Sequence, residues 1–330
     1  MENVVNEAVV NADLITSVEE QNLTRGMLSA TANNAARYTL QELEKKNIIT
    51  TPTDTPLLTM MIDKAHQVYN TYFQWTETPL GSNLTSGKYG GYSVGGIDET
   101  TPDPVLNGNY IMQVGQIARV ANYVKGLRGV EIEGGAFYHQ EIVLKYANLR
   151  RMVEYYLWRG NHTTFADETD GVCTLVTTAI ANGNATLDEV NLEIAIVQMI
   201  DAGLEPKGIF AQPLHAQRIA RFNKAKVLFS NVNEIENGVG QKAFMYSTAF
   251  GYILRVYPTR TVYLPTGKIY VLDTDMININ YLSDGNTLFG ETQLADINDG
   301  SAKLFRCWFG LELKRAADHR VITGVTTDLQ

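Results

Sequence analysis

The spacing of apolar residues changes along the chain, and each change predicts a different kind of element. Residues 1–23 are polar and acidic with no sustained period, which indicates an arm that cannot bury itself. Helical spacing runs from Thr24 to Lys46, and Thr55-Pro56 follows it, where the residue before proline disfavours the helical conformation. The sequence therefore begins with a predicted extension that must be held by something other than its own core.

Residues 66–125 show strand spacing at both ends. Apolar and polar residues alternate with period two from Val68 to Trp75 and again from Tyr110 to Val124. The residues between these two legs are rich in Gly, Ser, Thr, Asn and Pro. The pattern predicts a long two-stranded ribbon, which is marginal in water on its own and leaves two unpaired edges. We therefore expect partners to cover it.

A long amphipathic helix is predicted after the ribbon. Five apolar or aromatic residues follow the spacing i, i+4, i+7, i+11, i+14, and Gly160 is a suitable C-terminal cap. The predicted helix has about 25 to 30 residues, as its 3.6-residue period continues from near Gly129. The residues on its apolar face are Ile142, Tyr146, Leu149, Val153 and Tyr156.

A compact α/β unit is predicted from Thr174 to Leu282. The capping box Thr186–Glu189 opens a helix that Gly203 closes, and a second helix is expected to begin at Pro213. The apolar residues at i, i+4 and i+7 of the first helix, expected to face inward, are Val190, Ile194 and Val197. The strands predicted for this unit are Ile209–Gln212, Tyr252–Tyr257, Lys268–Asp273 and Met276–Leu282.

The end of the chain alternates once more. Apolar residues at every second position from Phe305 to Leu313 predict a long strand, followed by a turn near Asp318 and another strand from Arg320. We expect these strands to return to the long helix.

Charge and cysteine content exclude several classes of protein. The chain of 330 residues has 27 basic and 36 acidic side chains, a net charge of −9, which disfavours DNA or anionic membrane binding by the whole surface. No uninterrupted apolar run exceeds four residues, so no membrane span is predicted. Cys173 and Cys307 are far apart, which excludes a disulfide scaffold and a cysteine zinc site.

Motifs that could support catalysis are weak. Ser93 lies in a Gly-x-Ser-x-Gly sequence, but the surrounding glycines and prolines forbid the helix that a nucleophile elbow requires. Asp273 and Asp275 could bind a divalent metal or cap a turn. The five histidines have no ligand spacing. We predict no catalytic residue, no cofactor and no metal.

A local basic patch lies between Glu205 and Glu234. It contains five basic residues and no acid, namely Lys207, Arg218, Arg221, Lys224 and Lys226. It could meet phosphate, but no aromatic platform accompanies it. We favour ion pairing with an acidic surface of another copy, such as the segment Asn231–Glu236.

The predicted order along the chain is a polar arm, a ribbon, a long helix, an α/β unit and returning strands. At several of these places the sequence resembles a known family. The matching sequences are Thr55–Met61, Phe73–Leu80 on the ribbon, Gly203–Lys207, Phe250-Gly251, Val271–Asp273, Leu311–Leu313 and Ile322–Val325. They resemble tailed-bacteriophage major capsid proteins of the Hong Kong 97-type fold, in the SU-ten-like major capsid family. Each sequence is short, and the specificity lies in their order and spacing.

The resemblance implies an α+β fold with five named parts. These are an N-terminal arm at 1–50, a segment entering the peripheral domain at 51–65, an extended β-hairpin loop at 66–125, a peripheral domain with a spine helix at 126–175 and 285–330, and an α/β axial domain at 176–284. It further implies pentamers and hexamers that close an icosahedral shell around packaged double-stranded DNA, in a virion assembled in the bacterial cytoplasm. Implied partners are other copies, a portal, decoration or scaffold proteins, and DNA held by confinement and weak contact, with no membrane.

Inter-subunit contacts are predicted at the ribbon and at the basic helix. The candidate residues are Tyr69, Phe73, Trp75, Lys88, Met112, Arg119, Arg218 and Arg221. Lys88 is the sole lysine of the loop between the two legs, a residue type that some members of the family crosslink, although no matching asparagine or glutamate is identified. Alternatives are an encapsulin-like nanocompartment shell, another virion structural protein, and an enzyme using Ser93 or the pair Asp273 and Asp275.

Overall fold

The structure is a computed structural model, described here for part of the chain. The described residues are 54–78, 103–121, 131–132, 135–222, 227–228, 244–248, 250–282, 288–294 and 300–326. The predicted arm at 1–50, Lys88, Ser93 and the acidic segment Asn231–Glu236 lie outside them.

The secondary structure of the described residues comprises helices and many short strands. The α-helices are α1 (Pro56–Met61), α2 (Phe137–Arg159), α3 (Val172–Leu175), α4 (Glu189–Asp201) and α5 (Pro213–Arg221), with 3-10 turns at Ile62–Lys64, Thr274–Met276 and Ala316–Asp318. The strands are β1 (His66–Val68), β2 (Tyr72–Glu77), β3 (Val105–Tyr110), β4 (Met112–Ala121), β5 (Glu131–Ile132), β6 (Gly135–Ala136), β7 (Ala179–Ala185), β8 (Gly208–Ala211), β9 (Val227–Leu228), β10 (Phe244–Ser247), β11 (Ile253–Pro258), β12 (Ile269–Leu272), β13 (Ile277–Leu282), β14 (Phe289–Leu294), β15 (Gly300–Leu313) and β16 (Arg320–Val325).

The described residues form two compact units. Those within Gly115–Arg150 and Phe289–Arg306 form the first unit, and those within Asp54–Val114, Arg151–Leu288 and Cys307–Gln330 form the second. In the first unit, the ring of Tyr146 contacts the rings of Phe289 and Phe305 at centroid distances of 5.4 and 6.3 Å.

A seven-stranded sheet dominates the second unit, in the order β7-β16-β12-β8-β11-β10-β9. β8 pairs parallel to β11 and antiparallel to β12, and β16 pairs antiparallel to β12 and parallel to β7. β16 is therefore an interior strand of this sheet, whereas the sequence predicts that it returns to the long helix. Side chains of α4, α5 and the sheet share one buried cluster, so both helices cover the same face.

Aromatic side chains fill the opposite face of this sheet. Trp158, at the end of α2, packs against Phe210 and Tyr270 with centroid distances of 5.1 and 5.7 Å, and Phe210 stacks on Tyr257 at 5.0 Å. Every residue of β8 and β12 is buried, because helices or aromatic rings cover both faces of these strands.

The orientation predicted for α4 is wrong. Val190, Ile194 and Val197 are 57, 39 and 38 % exposed. The residues of this helix that face the core are Leu192, Ala195, Ile196 and Met199, each 0 % exposed. The helix carries apolar residues on two opposite faces, so spacing alone could not decide which face packs on the sheet.

The predicted ribbon differs from the observed strands in its pairing. β2 pairs antiparallel with β3, with Tyr72 opposite Tyr110 and Glu77 opposite Val105. β4, which contains most of the predicted return leg, pairs with β15 instead. Its alternation is as predicted, since Met112, Val114 and Ala118 are buried and the residues between them are not.

A second sheet has the order β1-β13-β15-β14, with β4 also paired to β15. β1 runs parallel to β13, and β13 pairs antiparallel with β15 from Ile277 opposite Leu313 to Tyr281 opposite Phe309. The two strands predicted at the end of the chain are β15 and β16.

The long helix α2 ends at Arg159, one residue before the glycine at which the sequence predicts its end. A Cβ atom at Gly160 would lie 2.1 Å from the carbonyl oxygen of Thr169, so a larger residue there would clash with backbone. The helix has 23 residues and begins at Phe137, so it is shorter than predicted.

Candidate assembly surfaces

Asn109 fixes the base of the β2–β3 ribbon to the body of the second unit. Its side chain is fully buried. The Nδ2 group donates to the carbonyl oxygens of Leu311 and Asp170 at 2.7 and 2.9 Å. The Oδ1 atom accepts the backbone N–H groups of Asp170 and Tyr110 at 3.0 and 2.8 Å. All donor and acceptor positions of the amide are thus used, which makes the attachment specific in position and direction.

Phe73 forms the apolar contact at the same base. It is 8 % exposed, and it lies against Gly310 of β15. A Cβ atom at Gly310 would lie 2.6 Å from Phe73 Cε1 and 2.6 Å from the carbonyl oxygen of Tyr110. The absence of a side chain at this position therefore permits the close approach of the ribbon to β15.

Glu77 links the far end of β2 to Arg315. Glu77 Oε1 accepts the indole N–H of Trp75 at 3.0 Å and the backbone N–H of Arg315 at 2.6 Å. Arg315 has a left-handed backbone conformation, with φ 54°. Its backbone N–H points to the ribbon, and its side chain extends to the end of α4. Its guanidinium donates to Ala202 and Gly203 carbonyl oxygens at the end of α4 and pairs with Asp318.

The opposite face of the ribbon is apolar and exposed. Tyr72 and Tyr110 contact each other at 4.7 Å and are 41 and 39 % exposed. Leu106, opposite Thr76 on the same face, is 59 % exposed, and Tyr69 before β2 is 83 % exposed. One ribbon face is therefore anchored to its own chain. The other face is covered in part, because the ring of Tyr110 stacks on that of His162 at 3.6 Å, and the area around Tyr72 and Leu106 is available to a partner.

The predicted contact residues fall into distinct groups. Phe73 and Met112 are buried within their own chain, and Trp75 is half-buried with its indole N–H bonded to Glu77. Tyr69 is exposed before β2, and Arg119 is exposed on β4. The structure does not bring these residues together into one site, and their contact with another subunit remains a prediction.

The two arginines of α5 lie in its last turn. Arg218 Nε donates to the carbonyl oxygen of Leu187 at 3.5 Å and is half-buried, whereas Arg221 is exposed. Of the basic patch predicted from sequence, Lys207 forms ion pairs with Asp275 and Glu205, and Lys224 and Lys226 are outside the described residues.

Asp273 and Asp275 have structural roles. Asp273 is buried, and its carboxylate accepts the backbone N–H groups of Asp275 and Glu205 at 3.1 and 3.3 Å. Asp275 is held between Lys207 and Lys64, and hydrogen bonds from these two lysines lower the pKa of its carboxyl. No group of three or more potential metal ligands occurs among the residues that the structure describes.

Glu154 joins α2 to the start of α1 through buried hydrogen bonds. Its carboxylate accepts the backbone N–H groups of Leu57 and Leu58 at the start of α1, at 3.1 and 2.7 Å, and the indole N–H of Trp158 at 2.9 Å. The side chain is fully buried, so these charge-assisted hydrogen bonds compensate for the lost hydration of the carboxylate.

Sequence reasoning missed Asn109, Glu77, Gly310, Arg315 and Glu154. Each of them has a partner that lies 61 to 238 residues away along the chain. The glycines and asparagines around Gly108 made β3 resemble part of a loop, and no local spacing marks a residue whose partner is distant in sequence.

The fold is that of shell-forming proteins, as three solved structures show. The encapsulin SrpI from Synechococcus elongatus PCC 7942 matches with a TM-score of 0.58 at 12 % identity, over 90 % of this chain and 95 % of that chain. The capsid of cyanophage A-1(L) matches with a TM-score of 0.57 at 11 % identity, over 87 % of this chain and 97 % of that chain. The capsid of a native GTA particle matches with a TM-score of 0.55 at 13 % identity, over 90 % of this chain and 99 % of that chain. The expected α+β fold of the Hong Kong 97 type is confirmed.

The family follows from the sequence itself. The sequence model of the SU10 major capsid protein matches residues 29–326, so the chain belongs to the SU10 major capsid protein family. It is a structural protein of the tailed-phage virion shell and not an enzyme. No curated protein matches the sequence. In the described residues, no helix is long and apolar enough to cross a membrane.

Proposed function

We propose that this major capsid protein assembles into pentamers and hexamers that close an icosahedral shell around packaged double-stranded DNA. The main support for this mode of assembly is the difference between the two faces of the β2–β3 ribbon. Phe73 and Asn109 anchor one face to the body of the second unit. On the other face Tyr110 stacks on His162, while Tyr72 and Leu106 leave an apolar, exposed area. A ribbon that is rigid at its base and apolar on its outer face is suited to contact a neighbouring copy.

The remaining domain assignments belong to this proposal. The β2–β3 ribbon is the base of the extended loop, and the seven-stranded sheet with α4 and α5 is the axial domain. The N-terminal arm at 1–50 would strengthen contacts between copies. A portal and decoration or scaffold proteins would be the further partners of the shell.

Contact with DNA is proposed to be weak. The net charge of −9 opposes general adhesion to a polyanion, and a shell that confines DNA loaded by a motor does not need to bind it tightly. Confinement therefore accounts for the relation between shell and genome better than binding does.

A nanocompartment shell is the second candidate, favoured by the match to SrpI encapsulin. The two functions differ in the contents of the particle. A phage shell encloses DNA of a defined length, whereas a nanocompartment encloses protein.

The test is to purify particles from the native source and image them by negative-stain microscopy, then measure nuclease-resistant DNA and co-purifying protein. Closed shells with protected DNA of one length support the proposal. Closed shells with a protein cargo and no protected DNA support the nanocompartment, and small oligomers contradict both.

The role of the ribbon has its own test. Leu106→Asp places a charge on the outer ribbon face and should lower the yield of shells, with the melting temperature of the unassembled subunit unchanged. Phe165→Asp, at a side chain that is 56 % exposed on another loop, is the matched control. Normal shells from Leu106→Asp would exclude the ribbon face as a contact between copies.

A further inference from the structure

The outer face of α4 has a composition unusual for a surface that stays in water. Val190, Ile194 and Val197 form a stripe at i, i+4 and i+7, directly opposite the buried face of the helix. Asp201 is exposed and continues the stripe at the C-terminal end. A helix with one core-facing stripe normally carries polar residues opposite it, so the second apolar stripe indicates a contact surface.

The charge of α4 restricts what can cover this stripe. The helix contains Glu189, Glu193 and Asp201, and Asp188 caps its N-terminus, with no lysine or arginine from 188 to 201. The helix itself therefore contributes only negative charge to an apolar face. The positive groups next to it include Arg320, which donates to Gln198, and Arg315, which is paired with Asp318. A fitting partner has exposed apolar side chains beside arginine or lysine.

A surface of that composition occurs on the same unit. The turn between β10 and β11 exposes Phe250, Tyr252 and Ile253 by 45, 37 and 54 %. Backbone and hydroxyl hydrogen bonds between Thr248 and Tyr252, at 2.8 and 3.0 Å, hold this turn in one shape. The apolar side chains are thus presented on a defined surface.

The last turn of α5 supplies the positive charge. α5 contains Arg218 and Arg221 and no acidic residue, and Arg221 is exposed. Phe222, the residue after it, belongs to the same buried cluster as Tyr246 and Leu254, which lie on the two strands that the turn connects. α5 also contacts β11, the strand that begins at Ile253 directly after the turn.

We propose that the outer face of α4 in one copy binds the basic surface formed by the end of α5 and the β10–β11 turn of the adjacent copy. This inference rests on the proposed assembly into capsomers and names the surfaces that meet there. The two surfaces consist of different residues, so the contact is heterologous, and a heterologous contact that closes on itself generates a ring. A contact between the apolar stripe that ends at Asp201 and the apolar turn beside Arg221 would cover side chains that are exposed in a single chain.

Cysteine crosslinking tests the pairing. The double variant Ile194→Cys with Ile253→Cys, oxidised after assembly, should give a ladder of covalent oligomers longer than a dimer on a denaturing gel. The parent chain, with its own Cys173 and Cys307, and each single variant are the controls and should give no ladder. Dimers from Ile194→Cys alone would show that two α4 faces meet each other and would overturn the proposal.

Charge substitution provides the second arm. Val197→Glu should reduce the yield of shells by about tenfold, since an unpaired charge would be buried in the contact. Val262→Glu, at a residue that is 53 % exposed outside both surfaces, should leave the yield unchanged. Arg221→Glu should also reduce the yield, and Asp201→Arg added to it should restore assembly.

Assembly of the wild-type chain shows whether a negative result contradicts the proposed contact or the proposed function. Wild-type shells without a crosslink ladder, together with normal assembly of Val197→Glu, overturn this inference and leave the proposed function intact. A wild-type chain that forms no shell contradicts the proposed function itself and removes the basis of the inference.

Discussion

The seven-stranded sheet and the β2–β3 ribbon lie in the same unit but differ in what covers them. In the sheet, α4 and α5 cover one face and aromatic rings around Trp158 cover the other, so strands such as β8 are buried throughout. In the ribbon, Phe73 is buried on one face while Leu106 is exposed on the other. The sheet is therefore covered on both faces within one chain, whereas the outer ribbon face is covered in part, by His162 stacked on Tyr110, and leaves Leu106 exposed.

The difference separates folding from assembly. Substitutions that remove buried contacts of the sheet should destabilise the isolated subunit. Substitutions on the outer ribbon face should leave the subunit folded and alter the shell. Trp158→Ala, in the aromatic layer on the sheet, and Leu106→Asp, on the outer ribbon face, measure the two effects separately.

Trp158→Ala should have the largest effect on folding. The side chain is fully buried against Phe210 and Tyr270, and its indole N–H bonds to Glu154. Removing it should lower the free energy of unfolding by about 3–5 kcal/mol. Denaturant unfolding of the unassembled subunit measures this loss, and a loss below about 1 kcal/mol would mean that the aromatic layer is not the core of the sheet.

Acidification should destabilise the subunit through His319. This residue is fully buried, its Nδ1 accepts the backbone N–H of Asp273 at 3.3 Å, and its Nε2 donates to the carbonyl oxygen of Lys314 at 3.2 Å. Burial lowers the pKa of His319 from 6.5 to about 4, with Asp273 and Asp318 opposing that shift and Arg315 adding to it.

The direction of the pH dependence of the free energy of unfolding follows from the lowered pKa of His319. The folded state holds His319 neutral, so its contribution is whole above pH 6.5 and is lost as the pH falls from 6.5 toward 4. The loss should be about 2–3 kcal/mol. Unfolding free energies of wild type and His319→Gln between pH 7 and pH 4 give the measurement, and equal slopes for the two proteins would contradict the assignment.

Asn109→Ala should release the ribbon while sparing the sheet. It leaves the buried carbonyl oxygens of Leu311 and Asp170 without the amide donors, at a cost of about 1–3 kcal/mol. Hydrogen exchange should accelerate in β2 and β3 and stay unchanged in β8 and β12. Acceleration in both regions would mean that ribbon and sheet unfold as one unit.

Trp75→Ala should alter assembly more than folding. Its side chain lies on the same ribbon face as Phe73 but is only half-buried, so the free energy of unfolding should fall by about 1 kcal/mol or less. The yield of shells, measured by light scattering, should fall clearly. Normal shells from a subunit that melts early would contradict a role for this tryptophan at a contact between copies.

Lys207→Met should have the smallest effect. Its partner Asp275 is half-exposed and keeps a second ion pair with Lys64, so water and salt already screen the lost pair. The free energy of unfolding should change by at most about 1 kcal/mol, and high salt should remove the difference. A larger, salt-insensitive loss would show that this exposed cluster supports the fold.

Local sequence signals predicted elements well and their partners poorly. Gly160 marked the end of α2, and the alternation around Met112 marked a strand. The partner of that strand was wrong, because period-two spacing says which residues share a face and nothing about which strand lies alongside. β3 was missed because Gly108 and its neighbouring asparagines are typical of loops.

The surfaces were harder to predict than the elements. α4 has apolar stripes on opposite faces, and the stripe chosen from sequence, with Val190 and Ile194, is the exposed one. The roles of Asn109 and Glu154 depend on backbone groups brought together by the fold. No spacing rule reports such contacts, since the partners are distant in sequence and carry no side-chain signature.

The saturated amide of Asn109 affects the thermodynamics of shell formation. Because its four hydrogen bonds set the direction of the ribbon base within a single subunit, that part of the conformational entropy is lost during folding. Copies that meet do not need to order this part of the ribbon again, and pre-ordering of this kind lowers the entropic cost of association. The hydrogen bonds of Asn109 therefore give each subunit an ordered ribbon base before assembly. Less of the free energy of each contact between copies is then offset by the ordering of the chain.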